Sequence, residues 1–342
     1  MRPVRALAFL VLCLPLVSSG LGAEDLGPSP VSVEATPLAF DPGEDEREAF
    51  GALLWRGGLK LRSRDPRFGG FSGLVVSPDG SGLLAVSDQG WWLELALSYD
   101  GKGRLSGAGD ARMATLLDGE GKRFAKKSLR DAETLTALGP EGPSGPVAVG
   151  LERTVRLLRY DIGRFGLEAR AEPMPLTLPK ALHDGPNNKE LEAVASLGGN
   201  RFLAISEENV DKAGNIRAWI LGEAKPLSFS VRRLDDFAIT DVAMVSPDRF
   251  LTLERSFSAS ERRLEMAIRR FRMDDVAEGA AVDGELLLRA RWPSRSIDNM
   301  EALDVHRTAD GETRITLMSD DNYNAPLQRT LILQFALPGQ AD

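Results

Sequence analysis

Short apolar runs alternate with turn-forming residues along almost the whole chain. From about residue 51 onward, runs rich in Val, Leu and Ile are broken by Gly, Pro, Asp and Asn, and sustained helical periodicity is scarce. Short strands separated by regular turn signals are typical of an all-β sandwich, barrel or propeller. An internal repeat is the feature that distinguishes these architectures.

One phrase recurs five times: a polar residue, an apolar run, a turn, a second apolar run and an acidic residue. The leading polar residues lie 61, 59, 49 and 60 positions apart, and they are Ser72, Glu133, Glu192, Asp241 and Glu301. Each interval leaves room for two more strands, for example at residues 92–97 and 111–117 after the first copy. Four antiparallel strands per repeat are the pattern of a propeller blade, which buries its faces against its neighbours.

We predict an all-β propeller with five blades, in which the N- and C-terminal strands pair to close the ring. After the fifth copy only one further strand fits, at residues 330–336, and residues 53–62 could supply the missing outer strand. Six blades remain an alternative, because residues 31–40 could help to build another one. The predicted organisation is a single propeller domain at residues 51–338 after an extended lead-in at residues 24–50.

The first 23 residues have the layout of a signal peptide. Arg2 and Arg5 precede an apolar run at residues 6–17, which is followed by small residues ending at Ala23. The run is shorter than the roughly 20 residues that a membrane-spanning helix needs. We therefore predict cleavage near Ala23 and a periplasmic or secreted protein without a membrane span, with an uncleaved anchor as the alternative.

Charge and composition narrow the classes of function. Removing residues 1–23 removes Cys13, the only cysteine, and two arginines, which leaves 40 basic against 50 acidic residues and a net charge of −10. An acidic protein lacks the basic footprint that nucleic acids require, so nucleic acid is not an expected partner. With only two histidines, His183 and His306, a histidine-based zinc site is not expected either. We expect a monomer.

The repeat predicts a cluster of carboxylates at one mouth of the central channel. The start of the first strand and the end of the second lie at the same edge of an antiparallel hairpin. The leading polar residues of the five copies should therefore meet the closing acidic residues of the same copies, which are Asp88, Glu152, Glu207, Glu254 and Asp320. Such a mouth would contain nine carboxylates and one serine.

Crowded carboxylates must be protonated, paired with cations or bound to metal. Their oxygens suit Ca²⁺, with Mg²⁺ as the second choice. Arg153, Arg255 and Lys189 are adjacent counter-charges that could hold a phosphate. Two alternatives remain open: the carboxylates could bond to backbone amides and keep the blades in register, and the polar stretch at residues 319–324 could be either a Ca²⁺ loop or an Asx-rich turn.

Four pairs of phrases resemble the bacterial family named for the esterase-like activity of phytase. They are RFGGFSGLVVSPDG with LLAVSDQGWW, RDAETLTAL with GLERTVRLLRYD, NKELEAVASL with RFLAISEE, and DNMEALDV with MSDDNYNAPLQRTLILQF. The resemblance runs from about Phe68 to Phe335, and the last phrase is its most specific part. The Asp241 phrase is shorter and departs from the family pattern.

The resemblance implies a metal-dependent hydrolase of phosphate monoesters or diesters. The residues carried over as catalytic candidates are Glu192, Glu301 and Glu133, and the metal candidates are Glu152, Glu207, Asp320, Asp321 and Asn322. Arg153, Arg255 and Lys189 are the candidates for binding the phosphorylated substrate. The alternative is a periplasmic propeller that uses the same mouth to bind a ligand or a protein without catalysis, because propellers support many functions.

Overall fold

The structure is a computed structural model that describes residues 27–153, 156–183, 191–325 and 327–339. The predicted signal peptide and Lys189 lie outside the described residues. Within the described part of the chain, no helix is long and apolar enough to cross a membrane.

Strands make up nearly all of the regular structure. The first twelve strands are β1 (Ser29–Pro30), β2 (Val33–Leu38), β3 (Ala49–Phe50), β4 (Leu53–Ser63), β5 (Phe71–Val76), β6 (Gly82–Ser87), β7 (Trp91–Tyr99), β8 (Leu105–Thr115), β9 (Ala132–Ala137), β10 (Pro146–Leu151), β11 (Arg156–Asp161) and β12 (Glu172–Pro173). The remaining strands are β13 (Ala193–Ser196), β14 (Phe202–Val210), β15 (Ile216–Leu221), β16 (Leu227–Val231), β17 (Ala238–Ser246), β18 (Arg249–Ser258), β19 (Arg263–Arg272), β20 (Ala281–Val282), β21 (Glu285–Arg291), β22 (Asn299–Arg307), β23 (Thr313–Asp320) and β24 (Thr330–Leu337). Helices are short: α1 spans Ile162–Phe165, and single 3-10 turns lie at Lys127–Leu129, Gly142–Ser144, Gly166–Glu168, Lys180–His183 and Met273–Asp275.

The strands form five separate sheets, which are the five blades of a β-propeller. From the inner to the outer strand, blade 1 is β5-β6-β7-β8-β1, blade 2 is β9-β10-β11-β12 and blade 3 is β13-β14-β15-β16-β20. Blade 4 is β17-β18-β19-β21, and blade 5 is β22-β23-β24-β4-β2, with β3 also paired to β4. The predicted fold class and blade number are confirmed.

Blade 5 combines the two ends of the described chain. Strand β24 pairs antiparallel with β4, and β4 pairs antiparallel with β2. The segment at residues 53–62 therefore supplies the outer strand that the sequence analysis found missing. Val33–Leu38 extends this blade outward, so it does not build a sixth one.

The blades meet through five hydrophobic cores, one at each interface between neighbours, including the interface of blade 5 with blade 1. All six residues of the inner strand β5 are buried, because both of its faces pack against other strands. No hydrogen-bonded sheet encircles the ring within the described residues. Side-chain packing between separate sheets instead holds the blades together.

Side chains of inner strands also bond to the backbone of the next blade. The amide nitrogen of Val194 lies 3.3 Å from Thr134 Oγ1, and that of Ser196 lies 3.2 Å from Thr136 Oγ1. These two hydrogen bonds join blade 3 to blade 2. They satisfy donors on the free edge of an inner strand, which would otherwise be buried without partners.

Two aspartates make the corresponding bonds elsewhere in the ring. Leu303 donates its backbone N–H to Asp241 Oδ2 at 2.7 Å, and Val76 donates to Asp304 Oδ2 at 2.7 Å. Asp241 and Thr134 occupy equivalent positions in their blades, as do Asp304 and Thr136. Asp241 therefore keeps blades 4 and 5 in register. This is the role that the sequence analysis gave as the alternative to metal binding, in which a carboxylate bonds to backbone amides.

Candidate functional site: the acidic mouth

In three of the blades, the leading polar residue of the repeat lies in a β-bulge. The strand register skips one residue of the inner strand in blades 1, 2 and 5, and the skipped residues are Ser72, Glu133 and Glu301. A bulged residue has no partner on the neighbouring strand, and the bulge can redirect its side chain. The regular spacing of the phrase thus places these side chains at equivalent points around the ring.

Blade 4 is offset by one residue from the alignment used in the sequence analysis. Its register skips Thr240, so Thr240 and not Asp241 is the counterpart of Glu133 and Glu301. The same register pairs Ile239 with Glu254, which moves Arg255 into the position that an acidic residue holds in the other blades. The prediction that Asp241 and Glu254 lie at the mouth is therefore wrong.

Glu254 instead forms a buried ion pair inside blade 4. Its Oε1 atom accepts hydrogen bonds from Arg269 Nε at 2.6 Å and from Thr252 Oγ1 at 2.6 Å. Both Glu254 and Arg269 are almost fully buried. This blade therefore contributes a cation, Arg255, to the mouth.

The remaining carboxylates surround one end of the channel, and we call this group the acidic mouth. Each member interacts electrostatically with other members or with Arg255. The members are Asp88, Asp131, Glu133, Glu152, Glu192, Glu207, Glu301 and Asp320. The convergence predicted for the four other blades is thus observed. Proximity of like charges in a buried setting favours protonation or binding of a cation.

Three of these carboxylates could hold a metal ion. Asp131, Glu133 and Glu152 each offer one oxygen, and the three atoms lie within 4.8 Å of one another. Asp131 also pairs with Lys127 at 2.7 Å and with Arg153 at 2.5 Å. Asp131 and Lys127 were not among the residues predicted from the sequence, although Asp131 lies just two residues before the bulged Glu133.

Glu152 leaves one acceptor unused within this group. The residue is 4 % exposed, and its Oε1 atom has no hydrogen-bond partner. Asp88 Oδ1, on the neighbouring blade, is also buried without a partner. Buried polar atoms are nearly always satisfied, so two orphaned carboxylate oxygens in one acidic cluster indicate a place for a cation.

Burial and mutual repulsion raise the pKa values of the central carboxyls. Burial is the main cause for Glu133, Glu152 and Glu192, and the neighbouring carboxylates add to it. The pKa of Glu152 rises from 4.5 to about 6. Glu192 retains its proton more strongly and donates it in a hydrogen bond to Glu152.

These shifts predict that the metal-free protein loses stability as the pH rises. A carboxyl whose pKa is raised by folding stabilises the fold fully below its unfolded pKa, and this contribution disappears as the pH passes the folded pKa. For Glu152 the window runs from 4.5 to about 6, and Glu133 and Glu192 extend it upward. We expect the melting temperature in excess chelator to fall by several degrees between pH 5 and pH 8.

Differential scanning calorimetry of the wild type and of Glu152→Gln checks this expectation, because the variant should show a shallower fall. Lys127, Arg153 and Arg255 face the same carboxylates, and their raised pKa values keep them charged throughout the range. Asp304 adds a decline of the same sign, since burial raises its pKa to about 7. A melting temperature that rises over this range would contradict the assigned shifts.

Arg255 bridges the carboxylates on the other side of the mouth. Its Nη2 atom lies 3.2 Å from Glu207 Oε1 and 3.4 Å from Glu301 Oε1, and Nη1 donates to Asn299 Oδ1 at 2.7 Å. Sequence reasoning had singled out Arg255, Glu207 and Glu301 but not Asn299. The guanidinium therefore sits among acceptors from blades 3 and 5, where an anionic ligand could share its charge.

The residues of the polar stretch at the end of β23 have different roles. Asp320 belongs to the mouth, and burial together with Glu301 raises its pKa. Asp321 accepts hydrogen bonds from the Tyr323 amide and Thr330 Oγ1 within blade 5, and a third from the Gly70 amide ties blade 5 to blade 1. The side chain of Asn322 is exposed, and its φ of +49° is that of a tight turn. Two of the three metal candidates in this stretch thus serve the turn.

A comparison with known protein families finds one match. The family described as phytase-like, with esterase-like activity of phytase, matches residues 66–323. The chain belongs to the phytase-like family. The range matched in this phytase-like propeller covers the acidic mouth and the inner strands of all five blades.

Comparisons with individual proteins add less. No curated protein matches the phytase-like chain. The structure titled "Structure of U3-55K" has a TM-score of 0.40 and 9 % identity over 81 % of this chain and 98 % of that one. "Crystal structure of RRP9 WD40 repeats" has a TM-score of 0.41 and 9 % identity over 89 % and 100 % of the two chains. At these TM-scores the likeness says nothing about the function of this chain.

Proposed function

We propose that this protein is an exported, Ca²⁺-dependent hydrolase of phosphate esters whose site is the acidic mouth. The observation that carries the proposal is the triplet Asp131, Glu133 and Glu152, which brings three carboxylate oxygens within 4.8 Å of one another and includes a buried oxygen, Glu152 Oε1, that has no hydrogen-bond partner. Membership of a family described by esterase-like activity supports a hydrolase. The N-terminal layout of residues 1–23 supports export to the periplasm or beyond.

The donor set fits a hard divalent cation. Asp131, Glu133 and Glu152 offer only oxygen ligands, which Ca²⁺ prefers and which Mg²⁺ also accepts. A bound cation would withdraw electron density from the phosphoryl oxygens and stabilise the charge that develops on them. The same cation would relieve the repulsion that contributes to the raised pKa values of Glu133 and Glu152.

The cations of the mouth would orient the phosphate. Arg255 approaches from blade 4, and Arg153 and Lys127 approach from the side of blade 2. Guanidinium and ammonium groups stabilise negative charge on transferring phosphoryl oxygens. Arg255 is the strongest candidate, because its side chain is only 24 % exposed and its Nε atom has no hydrogen-bond partner.

Glu192 would supply the proton for the leaving group. Burial raises the pKa of its carboxyl well above 4.5, and its side chain lies beside Glu133, Glu152 and Glu207. An acid with a pKa near or above the working pH is suited to protonate the departing ester oxygen. Glu301, paired with Arg255, would hold the guanidinium in place.

The direct test is an assay of the mature protein on phenyl phosphate, bis(phenyl) phosphate and inositol phosphates. We expect release of alcohol or phosphate from at least one ester in Ca²⁺, and none in excess chelator. Glu192→Gln is the matched inactive control, because it preserves shape and hydrogen bonding but carries no acidic proton. Ca²⁺-dependent binding of phosphate without turnover would identify a binding propeller, and turnover unaffected by chelator would refute the metal-dependent proposal.

A further inference from the structure

An exposed apolar row lies on blade 4 at the end of the sheet that carries the mouth. Phe257 of β18 pairs directly with Leu264 of β19, and the amide of Trp292 donates to the Leu264 carbonyl at 3.0 Å. Residues paired across antiparallel strands present their side chains on the same face of the sheet. We call Phe257, Leu264 and Trp292 the apolar shelf.

The apolar shelf is exposed to solvent, whereas the next residues on the same face of the sheet are buried. Phe257 is 65 % exposed and Trp292 is 45 % exposed, while Leu264 packs against the core between blades 4 and 5. Met266 and Ala290 form the next row along this face and are part of that core. The burial of this face thus stops one row short of its end, and two aromatic rings remain in solvent.

The shelf is continuous with the phosphate-binding side of the mouth. Arg255 precedes Phe257 by two residues in β18, so both side chains lie on the same face, about 7 Å apart along the strand. Arg255 pairs with Met266 in the row next to the shelf. A group attached to a phosphate at Arg255 would therefore meet an apolar surface.

The charges of the mouth favour a substrate with few phosphates. Lys127 and Arg153 both pair with Asp131, and Arg255 pairs with Glu207 and Glu301. The described cations of the mouth are thus outnumbered by its carboxylates. A densely phosphorylated polyol would meet strong repulsion here and would leave the shelf unused, because its surface is polar.

We propose that the substrate is a phosphate ester of an apolar aryl or alkyl alcohol, whose apolar group lies on the shelf while its phosphate meets Arg255. This proposal rests on the proposed function and names its substrate class. In the reaction water adds to phosphorus, the bond between phosphorus and the ester oxygen breaks, and that oxygen leaves with the electron pair. The leaving oxygen takes up a proton from Glu192 to form the alcohol, the attacking water loses a proton to solvent, and Glu192 regains its proton from solvent.

Binding separates this proposal from the question of catalysis. Calorimetric titration of the mature protein in CaCl₂ compares phenylphosphonate with methylphosphonate, which share the anionic group but not the ring. We expect phenylphosphonate to bind about tenfold more tightly, since burying a ring against apolar side chains is worth at least about 1.5 kcal/mol. Phe257→Ser and Trp292→Ser should each reduce this preference and leave the affinity for methylphosphonate unchanged.

Leu286→Ser is the matched control. Leu286 is 46 % exposed on β21, opposite Arg269 and away from the mouth, so this variant removes an exposed apolar side chain without touching the shelf. We expect it to keep the full preference for phenylphosphonate. Shelf-dependent binding without any turnover would uphold the shelf and refute the hydrolase. Equal affinity for the two phosphonates, no binding of either, or preferred turnover of inositol phosphates would overturn the shelf proposal.

Discussion

Replacing Glu152 with glutamine should abolish the stabilisation of this protein by Ca²⁺ and leave the metal-free protein as stable as the wild type, or slightly more stable. Glu152 is a member of the triplet, and its Oε1 atom has no partner to lose. The amide oxygen of glutamine still accepts the hydrogen bond from Glu192, while the repulsion from Asp131 and Glu207 disappears. Stability therefore has little reason to fall when the metal is absent.

The size of the effect follows from mass action. A ligand that binds only the folded state at 1,000 times its dissociation constant stabilises it by about 4 kcal/mol. We expect the wild type to gain a stabilisation of this order from saturating Ca²⁺, and Glu152→Gln to gain almost none. Thermal melting in chelator and in a Ca²⁺ series measures both quantities on the same samples.

Asp241→Ala provides the opposite control. Asp241 is as deeply buried as Glu152, but its oxygens accept hydrogen bonds from the backbone of Leu303 and Val242. Losing a buried acceptor costs about 1–3 kcal/mol, so this variant should be destabilised while its response to Ca²⁺ stays intact. If Glu152→Gln behaves in that way instead, the triplet is architecture and not a metal site.

Much of the fold and part of the acidic mouth could be predicted from the sequence. The recurrent phrase indicated the five blades, the convergence of Glu133, Glu192 and Glu301, and the need for an outer strand from the N-terminal side. These features depend on spacing and on apolar pattern, which are visible in one dimension. The pairing of β4 with β24 followed from counting the strands of the last blade.

The one-residue offset in blade 4 could not be predicted in this way. The alignment by phrase matched Asp241 and Glu254 to the mouth residues of the other blades, whereas the strand register places Thr240 and Arg255 there. Charge alone favoured the acidic pair, because carboxylates fill the equivalent positions in other blades. Successive side chains of a strand point to opposite faces, so an alignment that is wrong by one residue assigned the structural Asp241 to a position of the mouth.

Asp131 was missed for a different physical reason. It precedes the repeat phrase, and its importance arises from distance, since its oxygens approach Glu133, Glu152, Lys127 and Arg153. The repeat offered one weak signal, because Asn299 occupies the equivalent position in blade 5 and contacts Arg255. In two blades a polar residue, Asp131 or Asn299, lies two positions before the glutamate that leads the repeat. This pattern could have identified both residues as candidates for the site.

Replacing Glu192 with glutamine should reduce turnover of phenyl phosphate by about 10²- to 10⁴-fold, the usual contribution of a general acid. Phenolate is a poor leaving group, since its conjugate acid has a pKa of about 10, like the tyrosine side chain. It therefore needs the proton that Glu192 holds through its raised pKa. Nitrophenolate leaves readily without a proton, so the loss on nitrophenyl phosphate should be much smaller.

The dependence on the leaving group makes this prediction specific to proton donation. A glutamine that merely disturbed the mouth or weakened Ca²⁺ binding would slow both esters by the same factor, because the two share the phosphate and nearly the same ring. Steady-state kinetics at saturating Ca²⁺ on both esters, with the wild type and Glu192→Gln in parallel, give the ratio directly. The wild type should also lose activity at high pH as Glu192 ionises, and the residual activity of the variant should lack that decline. Equal losses on both substrates would show that Glu192 does not donate the proton to the leaving group.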